Sequence, residues 1–104
     1  MALACSDDVI EKPENLMTKG QMTAFLIDSH LIEGNLQTIK IDQDSLEKIF
    51  YTLEKDLYKK HKIDSEQFML SYHYYLHQTN ELSEIYDAVI DSLSLQEKMI
   101  NSAQ

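Results

Sequence analysis

Cysteine, proline, glycine and cations are all scarce in this chain of 104 residues, and each scarcity excludes something. One cysteine, Cys5, rules out an internal disulfide. Two glycines, Gly20 and Gly34, cannot build a phosphate cradle and read more simply as helix-end residues. The single proline, Pro13, stops helix near the start and biases Lys12 to an extended conformation. Basic residues number 9 against 18 acidic ones, a net charge of −9. Nucleic acid is therefore excluded as a partner, because phosphate binding needs clustered cations. Electrostatic docking on anionic lipid is excluded for the same reason, so a membrane tie must be hydrophobic or covalent. No apolar run approaches the ~18 residues of a spanning helix, so nothing after Cys5 is expected to cross a bilayer.

What is present at the N-terminus then becomes informative. Cys5 follows Ala2-Leu3-Ala4 and precedes Ser6-Asp7-Asp8. Small or apolar residues before a lone cysteine, and a short polar stretch after it, resemble the mature start of a bacterial lipoprotein. Ala2 departs from the Leu commonest three positions before such a cysteine. Only four residues precede Cys5, fewer than the ~7–15 of a signal's apolar region. On this reading the numbering starts inside a shortened signal. The expected organisation is a signal remnant at 1–5, a tether at 6–17, a single helical domain at 18–100 and a frayed tail at 101–104. Val9, Ile10, Leu16 and Met17 are the tether residues apolar enough to dock on the helices.

Four helical patterns follow the tether. The first opens after Thr18 and carries Met22, Phe25, Leu26, Ser29 and Leu36 on one face, with Gly34-Asn35 weakening its last turn. Residues 38–43 connect; Ile39-Lys40-Ile41 alternates like a strand but is too short and lacks a partner. The second begins near Asp44, presents Leu46, Ile49, Phe50, Leu53 and Leu57 as one stripe, and ends in Lys59-Lys60-His61-Lys62, cations suited to a C-terminal dipole. The third is capped by Asp64, with Gln67 completing a capping-box pattern, and faces Phe68, Tyr72, Tyr75 and Leu76 one way. Asn80 is the expected cap of the fourth, whose face carries Leu82, Ile85, Tyr86, Val89 and Leu93, with Ile90 beside them. The fold class is all-α, a small bundle of about four helices behind an N-terminal extended tether.

Taken in order, these residues resemble a known family. They are the lone cysteine, Lys12-Pro13-Glu14-Asn15-Leu16-Met17, then Met22 and Phe25-Leu26-Ile27-Asp28. Leu57 through Phe68, Ser71-Tyr72-His73-Tyr74-Tyr75 and Leu82 through Val89 complete the pattern. Together they are similar to short Bacteroidetes-type lipoproteins known only as domain of unknown function 4296. The likeness runs from about Cys5 to Leu93, and rests on order and spacing. The family usually has proline near 81, where this chain has Glu81; Asn80 compensates as a cap. The resemblance implies a location and a fold and brings no catalytic residues. Acidic residues directly after the cysteine, here Ser6-Asp7-Asp8, resemble a surface-export signal of such lipoproteins, so the expected location is the outer membrane, at its cell-surface or periplasmic face.

Chemistry-bearing sets are few. His73 and His77 share a helix face at metal-binding reach, with Glu81 or Glu84 as further donors, but no third histidine or ligating cysteine stands near. They are expected to be solvated, with no metal bound. Asp7-Asp8 and Asp42-Asp44 lie on flexible stretches that hold no fixed spacing, and no nucleophilic triad is legible. No cofactor and no catalysis are expected. Six tyrosines are a heavy load for this length. Tyr72, Tyr75 and Tyr86 fit core positions, whereas Tyr51 and Tyr74 fall off their stripes and would offer rigid contact area to a protein partner. The expected function is a non-enzymatic, lipid-anchored helical module that binds another envelope protein as an accessory subunit. The alternative is a chaperone-like module holding extended polypeptide, and the third is a small metal-binding enzyme.

Overall fold

The computed structural model describes residues 10–103. Four helices make up the fold: α1 (Lys19–Leu36), α2 (Gln43–His61), α3 (Ser65–Leu76) and α4 (Thr79–Ala103). The described residues contain no strand, so the all-α expectation holds.

Local chemistry sets the boundaries. Thr18 caps α1 through a full capping box: its hydroxyl accepts from the Gln21 N–H at 3.1 Å, and its own N–H donates to the Gln21 side chain at 2.8 Å. Asp42 caps α2 by accepting from the Ser45 N–H at 2.8 Å and the Ser45 hydroxyl at 3.0 Å. Those bonds, the backbone one first, hold the Asp42 carboxyl below the usual carboxylate range. At the other end of α2, Lys62 adopts a left-handed conformation with φ 55°. The Ile63 N–H reaches back to the Tyr58 carbonyl at 3.1 Å, the six-to-one bond of a Schellman ending. Lys62 therefore stands outside the helix it was expected to close.

Two capping expectations need correction. Asp64 does cap α3, accepting from the Gln67 N–H at 2.7 Å, but the Gln67 side chain does not return to it. That amide donates instead to the Asn15 carbonyl at 2.8 Å, tying the lead-in to α3. Asn80 is not a cap: α4 already starts at Thr79, and the Gln78 carbonyl accepts its first bond from the Leu82 N–H at 2.9 Å. The α3–α4 connection is thus tighter than the residue types suggest. The weakening expected at Gly34-Asn35 is not seen, and one further end, that of α4, runs longer than read from sequence. Gly34 sits in unbroken helix to Leu36, whose burial holds the last turn in place. α4 continues through Ala103, because Leu95 to Lys98 are strong helix formers with no breaker among them.

α1 is the spine. It packs against α4 and α2, while α3 packs against α4. The core is Met17, Met22, Phe25, Leu26, Leu57, Tyr75, Ile85 and Val89. Phe25 joins three helices: its ring lies 4.5 Å from Phe68 and 5.4 Å from both Tyr58 and His61. Tyr72 and Tyr86 meet hydroxyl to hydroxyl at 2.9 Å across α3 and α4. Burial first, then that hydrogen bond, pushes the Tyr86 phenol up to about 12.

Met17 shows that the stretch before α1 is not a free tether over its whole length. It is fully buried, its N–H donates to the Ser71 hydroxyl at 2.9 Å, and its carbonyl accepts from the Tyr75 hydroxyl at 2.7 Å. Both polar groups of this buried residue are thereby satisfied by α3. The arrangement also explains Ser71, the buried polar residue of the core. Burial, with Glu81 and Tyr74 nearby, raises the Tyr75 phenol and keeps it a donor.

Candidate functional site

The α2 stripe does not bury as periodicity predicts. Of Leu46, Ile49, Phe50, Leu53 and Leu57, only Leu57 is buried, and Ile49 is 38% exposed. The reason lies in the packing. His61, at the C-terminal end of α2, binds Asp28 midway along α1, so the N-terminal half of α2 runs beside the last turns of α1. α3 leaves Phe25 in the opposite direction and reaches Met17 at Tyr75, so only its first turn, at Phe68, comes near Phe50, and the rest of that half of α2 is left uncovered.

A solvent-open cleft of about 480 Å³ results between the C-terminal end of α1 and the N-terminal half of α2. Its apolar wall is Leu36, Leu46 and Phe50, with Tyr51 at the edge. Its acidic rim is Glu33 from α1 and Glu47 and Glu54 from α2; no cation lines it. Among the described residues none of these three carboxylates forms a salt bridge. Glu47 accepts a hydrogen bond from the Gln43 amide at 3.3 Å. Lys55 holds its ammonium 5.1 Å from the centre of the Tyr51 ring, a cation–π contact on a side chain 61% exposed. Ile39 and Ile41, both exposed, lie in the α1–α2 connection.

Beside the Phe25 contacts with Tyr58 and His61, the Asp28 cluster ties α1 to α2. Its carboxylate meets both the Lys60 ammonium and the His61 ring at 2.8 Å. Burial alone would raise the Asp28 carboxyl, but hydrogen bonds and charge from Lys60 and His61 outweigh it and hold the group below its ordinary value.

The sequence-predicted site residues are scattered. Tyr51 is exposed at the edge of the cleft, as expected. Tyr74 is not exposed: it is half-buried, edge-on to Tyr75 with ring centres 5.6 Å apart, because the lead-in folds down beside it. It lines a separate hollow with Lys12, Pro13 and Glu14, so the two tyrosines form no common surface. His73 and His77 are exposed with ring centres 4.9 Å apart, and the His77 ring nitrogen lies 3.1 Å from the His73 carbonyl. No group of three potential metal ligands occurs among the described residues. Cys5, Ser6, Asp7 and Asp8 lie outside the described residues. Sequence reasoning missed Glu33 and Leu36 as site residues, and read Leu46 and Phe50 as core. Their signal was the α2 stripe itself, whose covering element was assumed.

Residues 13–99 match the family described as Domain of unknown function (DUF4296). The chain belongs to that family. The match includes the whole α1–α2 cleft and the Met17 attachment of this DUF4296 protein. No curated protein and no solved structure matches the chain. No helix among the described residues is long and apolar enough to cross a membrane.

Proposed function

We propose that this DUF4296 protein is a non-enzymatic helical interaction module, lipid-anchored in the outer membrane through Cys5, that binds another envelope protein as an accessory subunit. The single observation that carries the binding role is the α1–α2 cleft, where Leu46 and Phe50 stay half-buried at a solvent-open groove floored by buried Leu36, with no further helix laid over them. Contiguous open apolar surface on a small domain marks a contact site more often than scattered exposed residues do. The Cys5 context supports the anchor, and Ser6-Asp7-Asp8 supports export to the cell surface. Several acyl chains, at ~0.8 kcal/mol per buried CH₂, make such anchoring persistent. The Bacteroidetes-type lipoprotein character enters on the same residues.

Site-specific photocrosslinking in native envelopes tests the reading. A photoreactive residue replacing Phe50 should crosslink to one defined envelope protein. The same residue replacing Met69, which is exposed on α3, should not. Equal labelling from both positions, or none from Phe50, ends the proposal. Cys5→Ala should release the full chain from the membrane fraction, and retention there would refute the anchor. If excess domain suppresses aggregation of an unfolded outer-membrane protein while Phe50 labels many chains, the chaperone-like alternative is favoured.

A further inference from the structure

We infer that the occupant of the α1–α2 cleft is a cationic amphipathic helix of the partner, an inference that rests on the docking role proposed above. The shape argument comes first. Two neighbouring helices line the cleft, buried Leu36 of α1 at its floor and half-buried Leu46 with Phe50 at helical spacing on α2, and no third helix lines it. A third helix is the natural complement of two, since its own apolar stripe seats in the groove between them. At about 480 Å³ the space accommodates a few apolar side chains.

Charge selects among such helices. Glu33 stands on the α1 side, with Glu47 and Glu54 on the α2 side, so a seated helix has carboxylates along both flanks. No cation lines the cleft, and none pairs with these groups among the described residues. A helix with acidic flanks is repelled, and one with Lys or Arg beside its apolar stripe is attracted and held in register. Lys55 already occupies one face of the Tyr51 ring at the edge, so the partner's cations are drawn to the three carboxylates. The net charge of −9 extends the attraction to longer range.

The test uses three synthetic peptides with leucine at i, i+3, i+4 and i+7 positions and lysine, glutamine or glutamate elsewhere. Each is titrated into the full chain and followed by calorimetry and by amide NMR shifts. The Leu/Lys peptide should bind tightest, with shifts centred on Leu36, Leu46, Phe50 and Tyr51. Glu33→Gln/Glu47→Gln/Glu54→Gln should weaken it by about tenfold. Removing equal charge from α4, as Asp87→Asn/Asp91→Asn/Glu97→Gln, should change it less than about twofold. Raising salt from ~0.1 to ~1 M, which shortens the Debye length from about 10 to about 3 Å, should narrow the gap between the Leu/Lys and Leu/Gln peptides. Equal weakening by the two triple variants, or shifts centred elsewhere, overturns the inference. If Leu/Gln binds in the cleft as well as Leu/Lys, the charge assignment fails while the docking role stands. If no peptide of any charge enters the cleft, both fail.

Discussion

Met17 is held by two hydrogen bonds from one helix, so removing either or both makes a quantitative prediction. Ser71→Ala deletes the acceptor of the Met17 N–H, and Tyr75→Phe deletes the donor to its carbonyl. While Met17 stays buried, each change leaves one polar group unpaired, at a cost of ~1–3 kcal/mol. The alternative for the protein is to undock the lead-in and let water satisfy both groups. That route forfeits the burial of one methionine side chain, about 1.5–3 kcal/mol, and the Gln67–Asn15 bond, about 1 kcal/mol. Undocking therefore limits the loss at roughly 2.5–4 kcal/mol, whereas two unpaired groups sum to as much as ~6. Each single variant should lose about 1–3 kcal/mol in urea unfolding, and where the two losses sum to more than ~4 kcal/mol the double variant should fall short of that sum. Hydrogen exchange at the Met17 amide should accelerate far more in the double variant than at Val89 in the core. Strict additivity of single losses that together exceed ~4 kcal/mol, or a Ser71→Ala loss below about 0.5 kcal/mol, would refute the idea that these bonds pin the lead-in.

Three other outcomes follow from the geometry. Asp28 sits below its ordinary pKa in the fold, so its contribution is present above the unfolded value of ~3.9 and is lost as pH falls through the folded one. Asp28→Asn should cost about 1 kcal/mol at pH 7 and nothing extra near pH 2, measured as urea midpoints; an equal deficit at both would remove the ion cluster as its cause. The Tyr86 phenol, raised to about 12, contributes stability that is present below the unfolded value of ~10 and lost as pH rises through the folded one. In Tyr72→Phe the hydrogen bond goes and burial remains, so ultraviolet titration should find Tyr86 lower than in the parent chain yet still above ~10. Lys62→Gly relieves a side chain at φ 55° and should stabilise by roughly 0.5–1 kcal/mol in thermal unfolding; a loss instead would mean that the lysine side chain matters more than its backbone strain.

Much of the fold was legible because its signals are local. Thr18, Asp64 and the core positions Phe25, Tyr75, Ile85 and Val89 depend on neighbours within a few residues, and each buries or caps as its spacing predicts, whereas Leu76, expected on the Tyr75 face, is 49% exposed. The site was less legible because its determinants are not local. Periodicity states which face of α2 is apolar, but not that α3 departs in the other direction and leaves Leu46 and Phe50 beside open solvent. Nor could spacing pair Asp28 with His61 across 33 positions, or carry the Gln67 amide past its own cap to Asn15, 52 positions away. Tyr74 was misplaced for the same reason: the chain that shields it is separated from it by two whole helices, α1 and α2.

The pinning of Met17 has a consequence for reach. With lipid on Cys5, the chain from Ser6 to Met17 spans at most about 40 Å when drawn taut. On the proposed reading the domain would be leashed at the N-terminal end of α1, where Met17 is pinned, not at an arbitrary point on its surface. Helix α1, 18 residues and about 27 Å long, then acts as a spacer between leash and cleft. The cleft, at the C-terminal end of α1, is on that reading separated from the point of attachment by the full length of that helix.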